Sequence, residues 1–228
     1  MFTYVKALFI SLLCIFIAVL TILVSPVDRK GKITHLLSKV FGNGILMIAG
    51  VKVSTYGAER LDKSRSYIFV SNHQSYFDIP VLMHSIPNNV RFIYRENLTK
   101  IPILGWGMYL GQYIPINREN VREAMKSLKK AAEKVRRGIS VAIFPEGTRS
   151  YDGSLGDFKR GVFVLADEAK VEIVPTAIDG SYKIMPRSKF RIQSGNVNVT
   201  FGEPVAYSND KFMLENIKKQ IQSMLDKN

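Results

Sequence analysis

The amino-acid sequence predicts an α/β fold: a mostly parallel, helix-covered mixed sheet preceded by a pair of membrane-associated helices. From residue 51 onward, candidate strands of five or six residues alternate with helical stretches, the pattern of strands joined by helices in a parallel sheet. Before that point, residues 7–24 are almost entirely apolar. We therefore divide the chain into an N-terminal segment with an apolar anchor helix and an amphipathic helix, residues 1–50, and one globular domain, residues 51–228.

Composition limits the classes of protein to which this chain can belong. Hydrophobic residues make up 46% and charged residues 22%, which excludes a disordered or collagen-like chain. A single cysteine, Cys14, excludes an intramolecular disulfide, and three histidines leave little for a metal centre, so we expect no metal. With 32 basic and 19 acidic residues, the net charge of +13 predicts an anionic partner: nucleic acid, a phospholipid surface or a phosphorylated metabolite.

Residues 7–24 are predicted to form the anchor helix. At about 1.5 Å per residue, these 18 residues make a helix of about 27 Å, just enough to cross the hydrocarbon core of a bilayer. A cleaved signal peptide is one alternative, although no small-x-small cleavage pattern precedes Ser25. A helix that lies in one leaflet is another. Basic residues are concentrated after the run, which predicts that the domain lies on the cytoplasmic side of the cytoplasmic membrane (Lys6 before; Arg29, Lys30 and Lys32 after).

A second, amphipathic helix is predicted within residues 31–49. Apolar residues recur there at steps of three and four, which puts them on one face of a helix: Leu36, Leu37, Val40, Phe41, Gly44, Ile45 and Ile48. This face packs either on the core of the domain or on the bilayer surface, and the sequence leaves both readings open. Pro26 and the charged segment 28–32 are expected to form the turn between the two helices.

The globular domain is predicted to contain six strands with four helices among them. The strands are Val51–Tyr56, Tyr67–Ser71, Val90–Tyr94, Gln112–Ile116, Ser140–Phe144 and Val171–Thr176. The helices are Ile79–Ile86, Leu98–Tyr109, Arg122–Arg136 and Val162–Lys170. Near the C-terminus, Phe190–Ser194 and Asn196–Phe201 flank Gly195 and are predicted to form an antiparallel hairpin at a sheet edge, before a closing helix over Lys211–Asp226.

A histidine and an aspartate follow the second predicted strand. Open α/β sheets bind ligands beyond the carboxyl ends of their strands, and this strand ends at the sequence NHQSYFD, residues 72–78. Asp78 could accept a hydrogen bond from one nitrogen of the His73 ring and leave the other nitrogen free to take a proton from a substrate hydroxyl. The spacing is unspecific by itself, and Asp78 could instead cap the next helix.

The fifth predicted strand runs into a second candidate site, the sequence PEGTRS at residues 145–150. Backbone amides near a flexible glycine, a hydroxyl and a guanidinium suit a phosphate group (Glu146, Gly147, Thr148 and Arg149). Lys159 and Arg160 add two cations before the next helix, whose N-terminus also favours an anion. Each cation alone could be a solvated loop charge, but their combination at strand ends predicts a phosphate pocket. The sequence contains neither a Walker loop nor a glycine-rich dinucleotide-binding loop.

Four short blocks of the sequence together carry a family resemblance. The blocks are NHQSYFD at 72–78, IPINR at 114–118, FPEGTRS at 144–150 and VPT at 174–176. In this order and spacing they resemble the glycerolipid acyltransferases, and most closely the bacterial 1-acyl-glycerol-3-phosphate acyltransferases. The resemblance covers residues 50–205, and an apolar helical pair before the first block is also usual there. Gln112 stands where the family has a glycine, directly after Gly111, whereas Arg118 of that block is in place.

The resemblance implies a fold of the glycerolipid acyltransferase type and a reaction in phospholipid biosynthesis. A fatty acyl group would pass from acyl-CoA or acyl-acyl carrier protein to the sn-2 hydroxyl of lysophosphatidic acid, forming phosphatidic acid without a cofactor. His73 would be the general base, oriented by Asp78. The substrate phosphate would be bound by residues of the second and third blocks and by one later lysine, with Arg95 as a further basic contact: Arg118, Glu146, Gly147, Thr148, Arg149 and Lys159.

Two other functions remain open from the sequence. A sister acyltransferase on the same scaffold could use glycerol 3-phosphate or another lysolipid. A non-enzymatic basic protein could bind acidic membrane lipid or nucleic acid through its positive charge. Against this last reading, the sequence contains no helix-turn-helix or zinc finger, and the cations follow strand ends rather than forming a stripe, so we expect no nucleic-acid partner.

Overall fold

A seven-stranded mixed sheet forms the centre of the computed structural model, which describes residues 2–210 and 212–227. Its strands are β1 Val51–Tyr56, β2 Ile68–Ser71, β3 Val90–Arg95, β4 Ile114–Ile116, β5 Ser140–Ile143, β6 Ile173–Asp179 and β7 Gly195–Phe201. They lie in the order β1-β7-β6-β2-β5-β3-β4. Of the strand pairs within the described residues, only β6–β7 is antiparallel, which confirms the prediction of a mostly parallel sheet.

Helices cover both faces of this sheet. They are α1 Phe2–Val24, α2 Lys32–Ala49, α3 Asp78–Ser85, α4 Leu104–Leu110, α5 Val121–Arg136, α6 Gly161–Ala169, α7 Ser181–Ile184 and α8 Met213–Leu225. Residues of α2 and α3 pack in one core, and residues of α5, α6 and α8 pack in the other. In the central strand β2, Ile68 and Val70 point into the second core and Phe69 into the first, and all three are fully buried.

The predicted C-terminal hairpin is wrong. Residues 190–194 form no strand, and β7 lies inside the sheet between β1, to which it is parallel, and β6, to which it is antiparallel. Because β1 and β6 occupy both edges of β7, no edge is left for the segment that precedes it. The Ile192 amide in that segment instead donates to Thr3 Oγ1 of α1 at 3.4 Å.

The predicted helix over Leu98–Tyr109 is interrupted. A 3₁₀ turn covers Glu96–Lys100, and α4 begins only at Leu104. Pro102 between them lacks an N–H donor, and Ile103 has a φ of +63°, so an α-helix cannot continue through this point. The other predicted helices of the domain begin and end within two residues of their predicted bounds, although Lys211, the predicted start of the closing helix, lies outside the described residues. The short helix α7 is not among the predicted helices.

Helix α1 is the one helix of the described residues that is long and apolar enough to cross a membrane. Its 18-residue core has a mean hydropathy of 3.1, yet only 17% of it is buried against the protein. The exposed surface of α1 includes many large apolar side chains, among them Leu8, Phe9, Leu12, Phe16 and Leu23. A core helix would bury most of such a sequence, so α1 presents apolar surface to its surroundings.

Helix α2 packs on the domain core, as the first of the two sequence readings predicts, but mostly through small and polar residues. Its buried residues are Thr34, Ser38, Gly42, Ile45, Leu46 and Ala49. A Cβ on Gly42 would lie 2.9 Å from that of Met83 in α3, so the glycine allows the two helices to approach closely. Leu36 and Val40 of the predicted apolar face are 63% and 49% exposed. Contact of these residues with a bilayer stays a prediction.

The turn between α1 and α2 is fastened to the domain by polar contacts. Asp28 accepts from the Thr34 amide at 2.7 Å, and the buried guanidinium of Arg91 donates to the Gly31 carbonyl at 2.7 Å. Gln112 has a φ of +67°, a conformation that favours glycine, and its side-chain amide donates to the Asp28 carbonyl at 3.3 Å. Gln112 therefore keeps the backbone of a glycine position and adds a contact to the turn.

Candidate active site

Four neighbouring parallel strands bring the predicted site residues to one edge of the sheet. These strands lie in the order β2, β5, β3 and β4. His73 follows β2, the segment 145–150 follows β5, Arg95 ends β3, and Arg118 follows β4. The carboxyl ends of parallel strands share an edge, so residues that are distant in sequence converge there.

His73 and Asp78 form a hydrogen-bonded pair at this edge. His73 Nδ1 lies 2.7 Å from Asp78 Oδ2, and the amides of Gln74 and Ser75 donate to the same oxygen at 2.7 and 2.8 Å. The Asp78 side chain is fully buried, whereas that of His73 is 14% exposed. When Nδ1–H donates to the carboxylate, the neutral ring carries its free lone pair on Nε2. Asp78 accepts from the preceding loop rather than from the next helical turn, so these contacts are not those of a helix cap.

Two residues of the FPEGTRS block hold the histidine from another side. Glu146 Oε1 accepts from the His73 amide at 2.7 Å, and Oε2 accepts from the Gly156 amide at 3.0 Å. The Phe144 ring stacks on the His73 ring, with centroids 4.0 Å apart and planes at 13°. Burial raises the pKa of the Glu146 carboxyl, although the two amide donors and the nearby imidazole act in the opposite direction. This block therefore fixes both the backbone and the ring of His73.

The same loop carries cations. Gly147 has a φ of +72°, which its lack of a Cβ permits, and its carbonyl accepts from Arg118. The guanidinium carbon of Arg149 lies 3.5 Å from the centroid of the Tyr76 ring, an arrangement typical of a cation–π contact. Burial and the nearby Arg95 lower the pKa of Arg118. Arg95 also pairs with Glu119 at 3.1 Å, and an anion bound near Arg118 would stabilise the charge of that guanidinium.

Arg187, which the sequence analysis does not single out, holds this loop from a remote segment. Its Nη1 donates to Thr148 Oγ1 at 2.9 Å and to the Arg149 carbonyl at 2.6 Å. Its guanidinium carbon also lies 3.9 Å from the centroid of the Tyr151 ring. No recognisable motif surrounds Arg187. The one signal in the sequence is that it follows β6, a strand parallel to β2 that ends at the same edge of the sheet.

A cavity of about 520 Å³ lies beside the His73–Asp78 pair and beneath the two N-terminal helices. Its polar lining includes five of the predicted site residues: His73, Arg95, Arg118, Thr148 and Arg149. Its apolar walls come from α1, α2, β3 and α4, and include Ile17, Phe41, Phe92, Leu104 and Met108. The cavity thus joins a histidine and a cationic rim to a deep apolar space.

The remaining predicted site residues do not line the cavity. Asp78 lies behind His73, and both oxygens of Glu146 are occupied by backbone amides. Lys159 packs on Gly147, where a Cβ would lie 3.0 Å from the lysine Nζ. Within residues 2–210 and 212–227, no group of three or more His, Cys, Asp or Glu side chains is arranged to hold a metal ion. The arrangement suits an amphiphile that carries a hydroxyl between a phosphate and an apolar chain.

Comparison with known proteins finds relatives that match most of the length of this chain. The acyltransferase family model matches residues 52–179. A chloroplast 1-acyl-sn-glycerol-3-phosphate acyltransferase of Arabidopsis thaliana is 34% identical over 224 residues, which cover 97% of this chain and 62% of the relative. The human 1-acyl-sn-glycerol-3-phosphate acyltransferase beta is 31% identical over 208 residues, which cover 90% of this chain and 75% of the relative.

A solved structure shares the fold. The crystal structure of the 1-acyl-sn-glycerophosphate acyltransferase PlsC from Thermotoga maritima superposes with a TM-score of 0.85 and 25% sequence identity, over 99% of this chain and 94% of that one. The chain spans about three fifths of the length of the Arabidopsis relative, 62%. Because the family model covers more than half of the chain and the human relative is matched over most of both sequences, the chain belongs to the acyltransferase family.

Proposed function

We propose that this chain transfers a fatty acyl group from acyl-CoA or acyl-acyl carrier protein to the sn-2 hydroxyl of 1-acyl-glycerol 3-phosphate, forming phosphatidic acid. The observation that carries the proposal is the 2.7 Å hydrogen bond between His73 and Asp78 beside a cavity that joins apolar walls to Arg118 and Arg149. A lysophospholipid matches this combination because its hydroxyl lies between a phosphate and an acyl chain. Relatives named for this acceptor support the assignment.

His73 would act as the general base. Its Nε2 takes the proton of the acceptor hydroxyl while the hydroxyl oxygen attacks the thioester carbonyl carbon. The tetrahedral intermediate collapses as the carbon–sulfur bond breaks, and the imidazolium returns its proton to the leaving thiolate. Asp78 keeps Nδ1 protonated and stabilises the imidazolium. No acyl-enzyme is required because the thioester is already activated. General-base catalysis of this kind typically contributes about 10²–10⁴-fold.

The acceptor phosphate would be bound by Arg118, Arg149 and Thr148, with Arg95 as a further basic contact. Arg guanidinium groups bind phosphate through two parallel hydrogen bonds, and the Thr148 hydroxyl can still donate because it accepts from Arg187. Gly147 and Lys159 would support this loop from outside the cavity. Glu146 would position His73 rather than touch the phosphate, since a carboxylate repels phosphate and both of its oxygens are already engaged.

The apolar part of the cavity would hold an acyl chain. Its volume of about 520 Å³ is within the usual range for small-molecule pockets. Ile17, Ala18 and Thr21 of α1 contribute to its wall. The anchor helix would therefore serve two purposes: it would hold the protein in the cytoplasmic membrane, and it would complete a binding site for a lipid of that membrane. The basic residues after α1 favour a catalytic domain on the cytoplasmic side.

An activity assay of the purified full-length chain in detergent micelles tests this proposal. Three acceptors (1-acyl-glycerol 3-phosphate, glycerol 3-phosphate and lysophosphatidylcholine) are combined with each of the two thioester donors. We expect phosphatidic acid from the first acceptor and little product from the others. Activity should be lost in His73→Ala and retained in His84→Ala, a matched control because His84 is an exposed histidine on α3.

Each alternative function has its own result in this assay. Faster transfer to glycerol 3-phosphate or to lysophosphatidylcholine would identify a sister acyltransferase on the same scaffold. Absence of transfer with all six pairs, from a protein whose circular dichroism shows it folded, would overturn the enzymatic proposal and favour a lipid-binding protein. Loss of activity in both histidine variants would contradict the role of His73.

A further inference from the structure

A second groove lies between α4, β4 and α5. Its volume is about 370 Å³, and Tyr113 is the one described residue that lines both this groove and the active-site cavity. Tyr109 and Leu110 of α4 and Ile114 and Pro115 of β4 form an aromatic and aliphatic wall, joined by Gln112. The opposite wall belongs to α5, which contributes Ser127, Lys130 and Lys134. One wall is therefore apolar and the other cationic.

The cations on the groove side of α5 form no ion pair. Lys130, Lys134 and Arg137 follow one another at steps of four and three, so they share one side of α5 and its end. None of the three has a carboxylate within 4.0 Å among the described residues. Burial and the positive charges of Arg91 and Arg137 lower the pKa of Lys134, and the carboxylate of Glu133 offsets only part of this. An anion in the groove would stabilise the charged form of these lysines.

Other lysines of the same helix do have partners. Lys126 pairs with Glu123 at 3.0 Å, and Lys129 pairs with Glu168 at 3.1 Å. Both lysine side chains are 58% exposed. The absence of an ion pair is thus a property of the groove side of α5 and not of the helix as a whole.

The wall opposite the lysines includes part of α4, a helix that packs on α1 and exposes apolar side chains of its own. Trp106, Tyr109 and Leu110 of α4 are 58%, 64% and 40% exposed. The same helix packs closely on α1, since a Cβ on Gly107 would lie 2.9 Å from that of Ala18. Tryptophan and tyrosine side chains are amphipathic and are typical of the membrane–water interface. A soluble phosphate would leave these aromatic side chains uncovered, whereas a phospholipid would cover them.

We propose that the groove between α4 and α5 binds the headgroup of an anionic phospholipid of the bilayer. Lys130 and Lys134 bind its phosphate, Tyr109 and Leu110 contact its glycerol and first methylenes, and Trp106 lies in the interface beside it. The site is separate from the one that transfers the acyl group. It depends on the membrane anchoring proposed for α1, which recovery of the protein in lipid nanodiscs tests by itself.

Trp106 supplies the measurement because it is the only tryptophan in the chain. The full-length protein is reconstituted in phosphatidylcholine nanodiscs that contain equal, small fractions of either brominated phosphatidylglycerol or brominated phosphatidylcholine. Bromine quenches tryptophan on contact, so we expect stronger quenching by the anionic lipid. The double variant Lys130→Gln/Lys134→Gln should lower the apparent affinity for phosphatidylglycerol about 100-fold, since each lysine loses a charged hydrogen bond to the headgroup phosphate that contributes about tenfold.

The controls separate this site from general attraction and from catalysis. Lys126→Gln/Lys129→Gln removes the same charge from the same helix and should keep the preference for phosphatidylglycerol, as should the catalytically inactive His73→Ala. Equal quenching by the two brominated lipids would overturn the proposal. Equal losses of affinity for phosphatidylglycerol in the two double variants would overturn it as well, because they would indicate only attraction by the overall positive charge of the protein. Loss of the preference in inorganic phosphate at constant ionic strength would assign the groove to a soluble anion instead.

Discussion

The two polar halves of the candidate active site are held in different ways. In the His73–Asp78 half, the ring and two loop amides all donate to one oxygen of Asp78, and every partner lies within the six residues 73–78. The cationic half around Arg149 is held by contacts with Tyr76, Arg118 and Arg187, which come from three other segments. Short-range contacts thus pair the proposed base with its carboxylate, although Glu146 and Phe144 also hold His73 from a distant segment. The contacts that hold the proposed phosphate ligands all come from distant segments. Damage to the first half should lower kcat, and damage to the second should mainly raise the acceptor KM.

The largest effect is expected in the His73–Asp78 half. His73→Ala should lower kcat by about 10²–10⁴-fold because it removes the general base, and Asp78→Asn should be similarly harmful because the imidazolium loses its charged partner. Turnover by each variant, measured at saturating acceptor and donor, checks this. The melting temperature of His73→Ala should stay close to that of the wild type. Near-wild-type turnover in that variant would remove the histidine from the mechanism.

Arg149→Ala should produce the next largest effect, in the other half. Loss of a charged hydrogen bond of about 1.5–3 kcal/mol corresponds to a rise of about tenfold to 100-fold in the KM for the acceptor. The KM for the thioester donor should change little. Lys219→Ala, which removes an exposed cation on α8, is the matched control and should change neither constant. An equal rise in both KM values after Arg149→Ala would indicate general damage and not a lost phosphate ligand.

Arg187→Ala should have a smaller effect of the same kind, because Arg187 acts through Thr148 and Arg149. Its two hydrogen bonds to the loop predict a rise of about threefold to tenfold in the acceptor KM. Arg187→Lys should recover part of this loss, since lysine keeps the charge but not the two-pronged geometry. A structural role elsewhere in the fold would instead lower the melting temperature with an unchanged KM. A fall in kcat at constant acceptor KM would show that the two halves are not separate.

For the apolar part of the site, no change is expected: a high-salt wash should not release the protein from the membrane. Salt screens the attraction between the basic surface and anionic lipid, with a screening length of about 10 Å at 0.1 M and less at higher salt. It does not weaken the burial of the apolar side chains of α1 in lipid. The full-length chain should therefore stay in the membrane fraction after a high-salt wash and leave it only with detergent. Immunodetection of the pellet and supernatant measures this. Release by salt alone would contradict the anchoring role proposed for α1.

Local pattern was sufficient to predict much of this molecule. The alternation of candidate strands and helical stretches predicted the first residue of each of the six strands to within two residues. The clearest of these are β2, β5 and β6, because a parallel strand that is buried on both faces is largely apolar. The His73–Asp78 hydrogen bond follows from a spacing of five residues across a strand–helix junction. The catalytic and phosphate-binding roles of these residues remain predictions, but the residues that follow the strand ends could be named without coordinates.

Contacts between distant segments had to be read from the tertiary structure. The position of β7 inside the sheet depends on β1, and no feature of residues 190–201 signals that both of its edges are occupied. The packing of α2 through Gly42 and the contact of Arg187 with the cationic loop depend equally on partners far along the chain. The physical reason is the range of the forces involved. Backbone conformation and local hydrogen bonds depend on neighbouring residues, whereas close packing and the pairing of strands depend on which surfaces meet when the whole chain folds.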